Sequence, residues 1–256
     1  PRLTRVLAAW DRPCKSLPAM TWTNVERSPE ANIGLGSALA FVAGATNAGG
    51  FLAVGTYTSH MTGVVSSVAD NVVLLQWPLV LTGFASLMAF LLGAMTTAWM
   101  VNWSLQRNLR SAFGRPLLLE AILLLCFGLF GSAAQAKFWF FQPLTIVLLC
   151  YLMGLQNAVV TKISKAEIRT THLTGLVTDL GIELGKLFYI NGHTDTPVRA
   201  NHQRLRLQLR IVVCFFVGAL CGAFGFKWVG YSITVPLALV LMVLIWGPLL
   251  ADYRAW

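Results

Sequence analysis

The five-residue phrase SHMTG at residues 59–63 returns as THLTG at residues 171–175. Both copies place a histidine and two hydroxyl groups beside strongly apolar segments, where a polar group is costly unless something pairs with it. The phrase decides the fold because the sequence around each copy is also repeated.

The repetition extends through both halves of the chain. The matched stretches keep one order, and they are FVAGATNA (41–48) with YLMGLQNA (151–158), YTSHMTGVVS (57–66) with RTTHLTGLVT (169–178), FLLGAMTTA (90–98) with FFVGALCGA (215–223), and Pro-Leu-x-Leu at 116 with Pro-Leu-x-Leu at 236. We interpret this order as an internal duplication. It divides one membrane domain into membrane repeat 1 at residues 31–135 and membrane repeat 2 at residues 136–256.

The composition predicts an all-α, polytopic integral membrane protein. Of the 256 residues, 56% are hydrophobic and only 11% are charged, whereas a soluble domain carries about 25% charged residues. Six stretches approach the ~20 apolar residues that cross a bilayer, at residues 33–54, 78–101, 116–134, 143–160, 209–226 and 233–251. A helix satisfies its own backbone hydrogen bonds in lipid, and these stretches lack the alternation of a barrel strand.

The basic residues predict the orientation of the spans in the membrane. Cytoplasmic loops are enriched in Lys and Arg. With both termini in the cytoplasm, 17 of the 19 basic residues fall inside, and only Lys137 and Lys227 fall outside. Residues 1–30 then form a cytoplasmic tail, which is either an amphipathic surface helix or a solvated segment. The inside loops are expected to contact anionic lipid headgroups, and this placement of charge argues against nucleic acid as a partner.

The same threading predicts that the two repeats are inverted. Each repeat has three spans, an odd number, so the second copy must cross the membrane in the opposite direction. Residues 56–76 start and end outside, and residues 170–190 start and end inside, so each segment is re-entrant or interfacial. Inverted repeats with interrupted segments near the midplane are a recurring transporter architecture.

The repeated phrase suits the start of a helix. Ser59 and Thr171 are predicted N-caps that accept hydrogen bonds from backbone N–H groups in the first turn. The amides and dipole at a buried helix start favour an anion, to which His60 and His172 could donate. Alternatively, each histidine is a satisfied core residue and Thr-Gly is a tight contact between helices.

Other polar residues beside or inside the apolar stretches are further candidates. Asn47 and Asn157 are intramembrane amides that either bond across helices or line a pathway. Asp179, Glu183 and Lys186 share one helical face, which is either solvated at the headgroups or coupled to an ion. The predicted substrate or ion pathway is Asn47, His60, Thr62, Asn157, His172, Thr174 and Asp179. The glycines predicted to allow close helix packing are Gly44, Gly63, Gly93, Gly154, Gly175, Gly218 and Gly222.

GATNAGGFLAVGTYTSHMTG at residues 44–63 and MGLQNA at residues 153–158, followed by TTHLTG, resemble the YoaK-type family of bacterial inner-membrane proteins. That family has long been labelled a domain of unknown function, so the resemblance implies the membrane fold and no activity. Asn47 stands where the family commonly has Asp, Val64 where Asn often follows, and His172 where an aromatic residue is common. Loss of the acid removes an obvious intramembrane proton carrier.

Two functions from different classes fit the sequence. The first is a small-solute transporter or channel, with anions among its candidate solutes, whose repeats move about a central site. The alternative is a non-catalytic accessory or assembly subunit of a larger, energy-transducing membrane complex, and a homodimer is also compatible. The sequence has no nucleophile–base pair, phosphate loop, dinucleotide fingerprint or metal-ligand spacing. We therefore expect no enzyme, no cofactor and no metal site.

Overall fold

A computed structural model describes residues 29–109, 111–137, 141–163, 173–191 and 197–253. Its helices are α1 (Pro29–Val54), α2 (Met61–Val73), α3 (Trp77–Gln106), α4 (Gly114–Lys137), α5 (Phe141–Ile163), α6 (Leu173–Phe188), α7 (His202–Val229) and α8 (Thr234–Tyr253), with a 3-10 turn at Gly230–Ile233. No strand occurs in these ranges, which confirms the all-α prediction for the described residues. The predicted tail up to residue 28 lies outside them.

The apolar helices confirm a multi-pass membrane protein. Four stretches are long and apolar enough to cross a membrane, at Ile33–Val54, Trp77–Gln106, Gln142–Lys162 and His202–Gly247. The last stretch contains both α7 and most of α8, which are joined by the 3-10 turn. That turn begins at Gly230, whose φ of 67° is readily adopted only by glycine. Together with α4, these helices occupy all six predicted spans.

The two helices that follow the repeated phrase are too short to cross a bilayer. α2 has 13 residues and α6 has 16, which correspond to about 20 and 24 Å of helix. The hydrocarbon core is about 30 Å thick. Their lengths agree with the expectation of re-entrant or interfacial segments.

Two pairs of long helices pack most closely. α1 lies along α7, and α3 lies along α5. At each contact a glycine faces a backbone carbonyl of the other helix so closely that a Cβ would overlap its oxygen. The facing pairs are Gly44 with Phe215, Gly218 with Phe41, Gly222 with Ala45, Gly93 with Tyr151, and Gly154 with Phe90. Absence of a side chain at these positions is what allows the backbones to approach.

The core lies between α1, α4, α5 and α8. Its fully buried side chains include Leu39, Leu117, Leu152 and Leu241. α3 is mostly exposed and carries large apolar side chains such as Trp99 on its outer surface. An exposed apolar surface of this kind suits contact with lipid acyl chains.

Candidate functional site

Asn47 holds the SHMTG segment against α1. Its Oδ1 accepts hydrogen bonds from the backbone N–H of Ser59 at 3.3 Å and from the Ser59 hydroxyl at 2.9 Å. Ser59 therefore does not cap α2, whose N-cap residue is His60 and has no side-chain capping bond. The prediction of a Ser59 cap is wrong because a tertiary partner takes the hydroxyl. An aspartate at position 47 could accept the same two bonds, so Asn47 keeps this role without the charge.

The start of α2 is not the buried anion site that the sequence suggested. His60 and Thr62 are both exposed. A Cβ at Gly63 would lie 2.9 Å from the Nδ1 of His60. Gly63 thus leaves room for the imidazole of its own segment, and its nearest neighbours belong to His60 rather than to another helix.

In the second copy, Thr171 and His172 lie outside the described residues. Thr174 is exposed, and no described atom outside its own helix lies within 4 Å of a Cβ placed at Gly175. The predicted helix contact at Gly175 is therefore wrong for the described part of the chain. Asn157 is buried on α5, and its Nδ2 donates to the carbonyl oxygen of Met153 at 2.8 Å.

Glu183 anchors α6 to the chain that leads into α7. Its carboxylate is buried, accepting from the Lys186 ammonium at 2.8 Å and from the backbone N–H of Asn201 at 2.8 Å. The Lys186 hydrogen bond, followed by that from Asn201, lowers the pKa of Glu183 below its ordinary value. The carboxylate thus holds two segments together in its charged form.

Asp179 also faces α7. Its Oδ2 accepts from Arg204 at 3.3 Å and from Gln208 at 3.4 Å. The opposite, apolar face of α6 is exposed, with Val177 and Phe188 among its uncovered side chains. Asp179 and Arg204 nevertheless stay partly exposed, so the charged face borders α7 and remains open to solvent. This arrangement suits a helix at the membrane surface whose apolar face meets lipid.

A cavity of about 380 Å³ opens at one end of the α1–α7 pair. Its lining residues are Leu52, Ala53, Phe226, Val229, Gly230, Tyr231 and Ser232. A small cavity of about 10 Å³ shares Ala53 and Phe226 with it and reaches Thr46 and Thr234. A volume of this order holds about one water molecule. Neither cavity is lined by a residue of the predicted pathway.

The opposite end of α8 is filled by protein. The backbone N–H of Ser111 donates to Asp252 Oδ2 at 2.8 Å, and Leu109–Phe113 has its described side chains buried. Beside this end, the Lys162 ammonium donates to Asn102 Oδ1 at 2.9 Å and links α5 to α3. Among the described residues, one end of the helix bundle therefore holds a cavity and the other holds buried side chains.

Besides Gln208, whose Oε1 has no partner among the described residues, four buried polar residues were missed by sequence reasoning as site candidates. Thr46 and Thr58 are buried, and neither hydroxyl has a hydrogen-bond partner among the described residues. Gln156 donates to Leu39 O at 3.3 Å, but its Oε1 has no hydrogen-bond partner among the described residues. Both carboxyl oxygens of Glu120 are buried and have no hydrogen-bond partner among the described residues. Since buried polar groups are normally bonded, these four stand out, and Glu120 is the sole acid of the six predicted spans.

The comparisons with known proteins concern most of the described fold. No curated protein and no solved structure matches the chain. A family model does match, over residues 35–246, which run from α1 into α8 and include both repeated phrases and the cavity lining. The YoaK-type resemblance is confirmed by this match: the chain belongs to the family described as "Protein of unknown function (DUF1275)".

Proposed function

We propose that the chain transports a small solute across a bacterial inner membrane, through the cavity between α1, α7 and the 3-10 turn. The observation that carries the proposal is the cavity of about 380 Å³, open at one end of the bundle and continued by the small cavity at Thr46. Small-molecule sites have volumes of about 300–1,000 Å³, so the space suits a small solute.

The helix packing supports an inverted duplication. In the sequence alignment, α1 corresponds to α5 and α7 corresponds to α3. The α1–α7 and α5–α3 contacts are then the same contact made twice. Gly44 faces Phe215 as its counterpart Gly154 faces Phe90, and Gly218 faces Phe41 as its counterpart Gly93 faces Tyr151. A pseudo-twofold axis in the membrane plane would exchange the two pairs, as in transporters built from inverted repeats.

The unequal ends of the bundle support alternating access. A twofold-related pair of repeats would give similar clefts at both ends. Here one end holds the cavity, and the other is filled by Leu109 and residues 111–113 and tied by the Ser111–Asp252 hydrogen bond. With both termini in the cytoplasm, the open end faces outward. This is the arrangement of a transporter closed toward the cytoplasm.

The cavity lining favours an uncharged polar solute over an anion. Its side-chain polar groups are the hydroxyls of Tyr231 and Ser232. Hydroxyl groups both donate and accept hydrogen bonds but do not neutralise an ion. His60, for which contact with an anion was one of two alternatives, is exposed.

The test is flux into proteoliposomes containing purified protein. Small uncharged polar solutes such as glycerol and urea are compared with inorganic anions. In a cysteine-free background, Ser232→Cys should lose flux when a hydrophilic thiol reagent modifies it. The matched control restores only Cys221, which is exposed on α7 and lines neither cavity. Absence of flux from folded protein, or equal flux before and after modification of Ser232→Cys, would contradict the proposal.

The same protein preparation also tests the alternative that the chain is an accessory subunit. Purification in mild detergent would then recover a membrane partner in fixed stoichiometry, and the protein without its partner would carry no flux. Lipid contact belongs to either function. We propose that the basic inside loops bind anionic headgroups beside the apolar face of α6.

A further inference from the structure

We propose that Glu120 is a reversible proton-binding site that couples proton movement to opening of the cytoplasmic end. This inference rests on the proposed transport function. Glu120 lies on α4, six residues after Gly114, or about 9 Å along the helix. The residue is 0% exposed, and neither carboxyl oxygen has a partner among the described residues.

Because no described hydrogen-bond donor lies beside the buried Glu120 carboxyl group, its charged form is unfavourable. A buried carboxylate without a compensating donor is so costly that the group takes up a proton instead. In a membrane protein the cost is sharper, and ionisable residues within spans commonly mark ion pathways or proton relays. The closed state therefore holds Glu120 as the neutral acid, formed when its carboxylate binds one proton.

No described charge compensates Glu120 from the surrounding helices. α4 packs against α8, α5, the 3-10 turn and α3. The described ionisable side chains on α4 and these elements are Arg115, Cys126, Cys150, Tyr151, Lys162, Tyr231, Asp252 and Tyr253. The charged members bond elsewhere: Arg115 lies over Trp103, Lys162 bonds Asn102, and Asp252 bonds Ser111.

The position of Glu120 links its proton to the closed end. α4 begins directly after residues 111–113, a buried segment that fills this end. When that segment moves away, water reaches Glu120 and the proton can leave to the cytoplasm. When the segment returns, the site is dry and only the neutral acid is stable. The repeat counterpart, aligned through Pro116 and Pro236, is Val240, so helix packing at this register does not require an acid.

Infrared spectroscopy of the purified protein in lipid nanodiscs tests the proton site without transport. The wild type should show the carbonyl band of a protonated carboxylic acid at neutral pH, and the band should disappear reversibly as pH rises. Glu120→Gln should lack it, and Glu120→Leu serves if the glutamine variant does not fold. The matched control Glu183→Gln alters a carboxylate that is ion-paired and should keep the band. An absent band, a band retained in Glu120→Gln, or a band that no pH of the folded state removes would overturn the site.

Flux measurements separate this proposal from the transport proposal. Wild-type flux should change at least tenfold with cytoplasmic-side pH, and Glu120→Gln flux should be independent of pH. If Glu120→Gln keeps the wild-type pH dependence, the coupling role is wrong while transport stands. If folded wild-type protein carries no flux, transport fails and the coupling with it, even where the infrared band titrates.

Discussion

Replacement of Gly218 by alanine should force α1 and α7 apart. A Cβ at this position would lie 2.8 Å from the carbonyl carbon of Phe41 and would overlap the carbonyl oxygen. Carbon atoms in contact sit about 3.5–4.0 Å apart, so the deficit is on the order of 1 Å. The obstacle is helix backbone, which cannot rotate away as a side chain can. Overpacking of this kind costs about 1–3 kcal/mol, offset in part by the roughly 0.5–1 kcal/mol that alanine gains over glycine in a helix.

Unfolding in detergent micelles, followed by helical circular dichroism, measures the effect. Gly93→Ala makes the same change in the α3–α5 pair and should lower the free energy of unfolding by a similar amount. Gly185→Ala on α6 is the control, since no described atom outside its own helix lies within 4 Å of the new Cβ. It should leave stability unchanged or slightly raised. Equal stability of Gly218→Ala and Gly185→Ala would refute the close-packing argument.

Three further substitutions have expected outcomes. Asn47→Ala removes the acceptor of both Ser59 hydrogen bonds, each worth about 0.5–1.5 kcal/mol, so amide hydrogen exchange around Ser59 should accelerate, whereas Asn47→Asp should protect it. Thr97→Val removes a bond to a carbonyl oxygen on α5 and should lower the free energy of unfolding by about 0.6 kcal/mol, the average for such bonds in membranes. Glu183→Gln should loosen α6 in hydrogen exchange at neutral pH. Because the folded pKa of Glu183 lies below its ordinary 4.5, its stabilisation is complete above that pH and is lost as pH falls through the lowered value, so mutant and wild type should converge in acid.

The spans were predictable because a long apolar run has few alternatives to a membrane helix. Each predicted span coincides with a helix, and the aligned glycines within those helices, Gly44 with Gly154 and Gly93 with Gly218, lie where helices approach most closely. The cap at the start of α2 was not predictable from local pattern. Ser59 is a good N-cap residue, but Asn47, twelve positions away, takes its hydroxyl. A five-residue phrase does not show whether a residue elsewhere in the chain competes for the capping hydroxyl.

The helical periodicity predicted that the charges of α6 share one face, but it did not predict which way that face points. In water, the apolar face of such a helix turns toward the protein; here the charged face does so, since Arg204 and Gln208 supply partners from α7. The cavity could not be predicted from the sequence either, because its lining comes from the end of α1 and a turn after Val229. Glu120 was visible as an acid within a span, but its complete burial depends on how α4 packs.

The sidedness of the two short helices tests the inverted duplication most directly. Thr62 and Thr174 are aligned between the repeats and both are exposed, so a cysteine at either position can be reached by a reagent. In a cysteine-free background, right-side-out membrane vesicles are treated with a membrane-impermeant thiol reagent. Thr62→Cys should be labelled in intact vesicles, and Thr174→Cys only after the vesicles are permeabilised. Labelling of both positions from the same side would contradict the inverted arrangement.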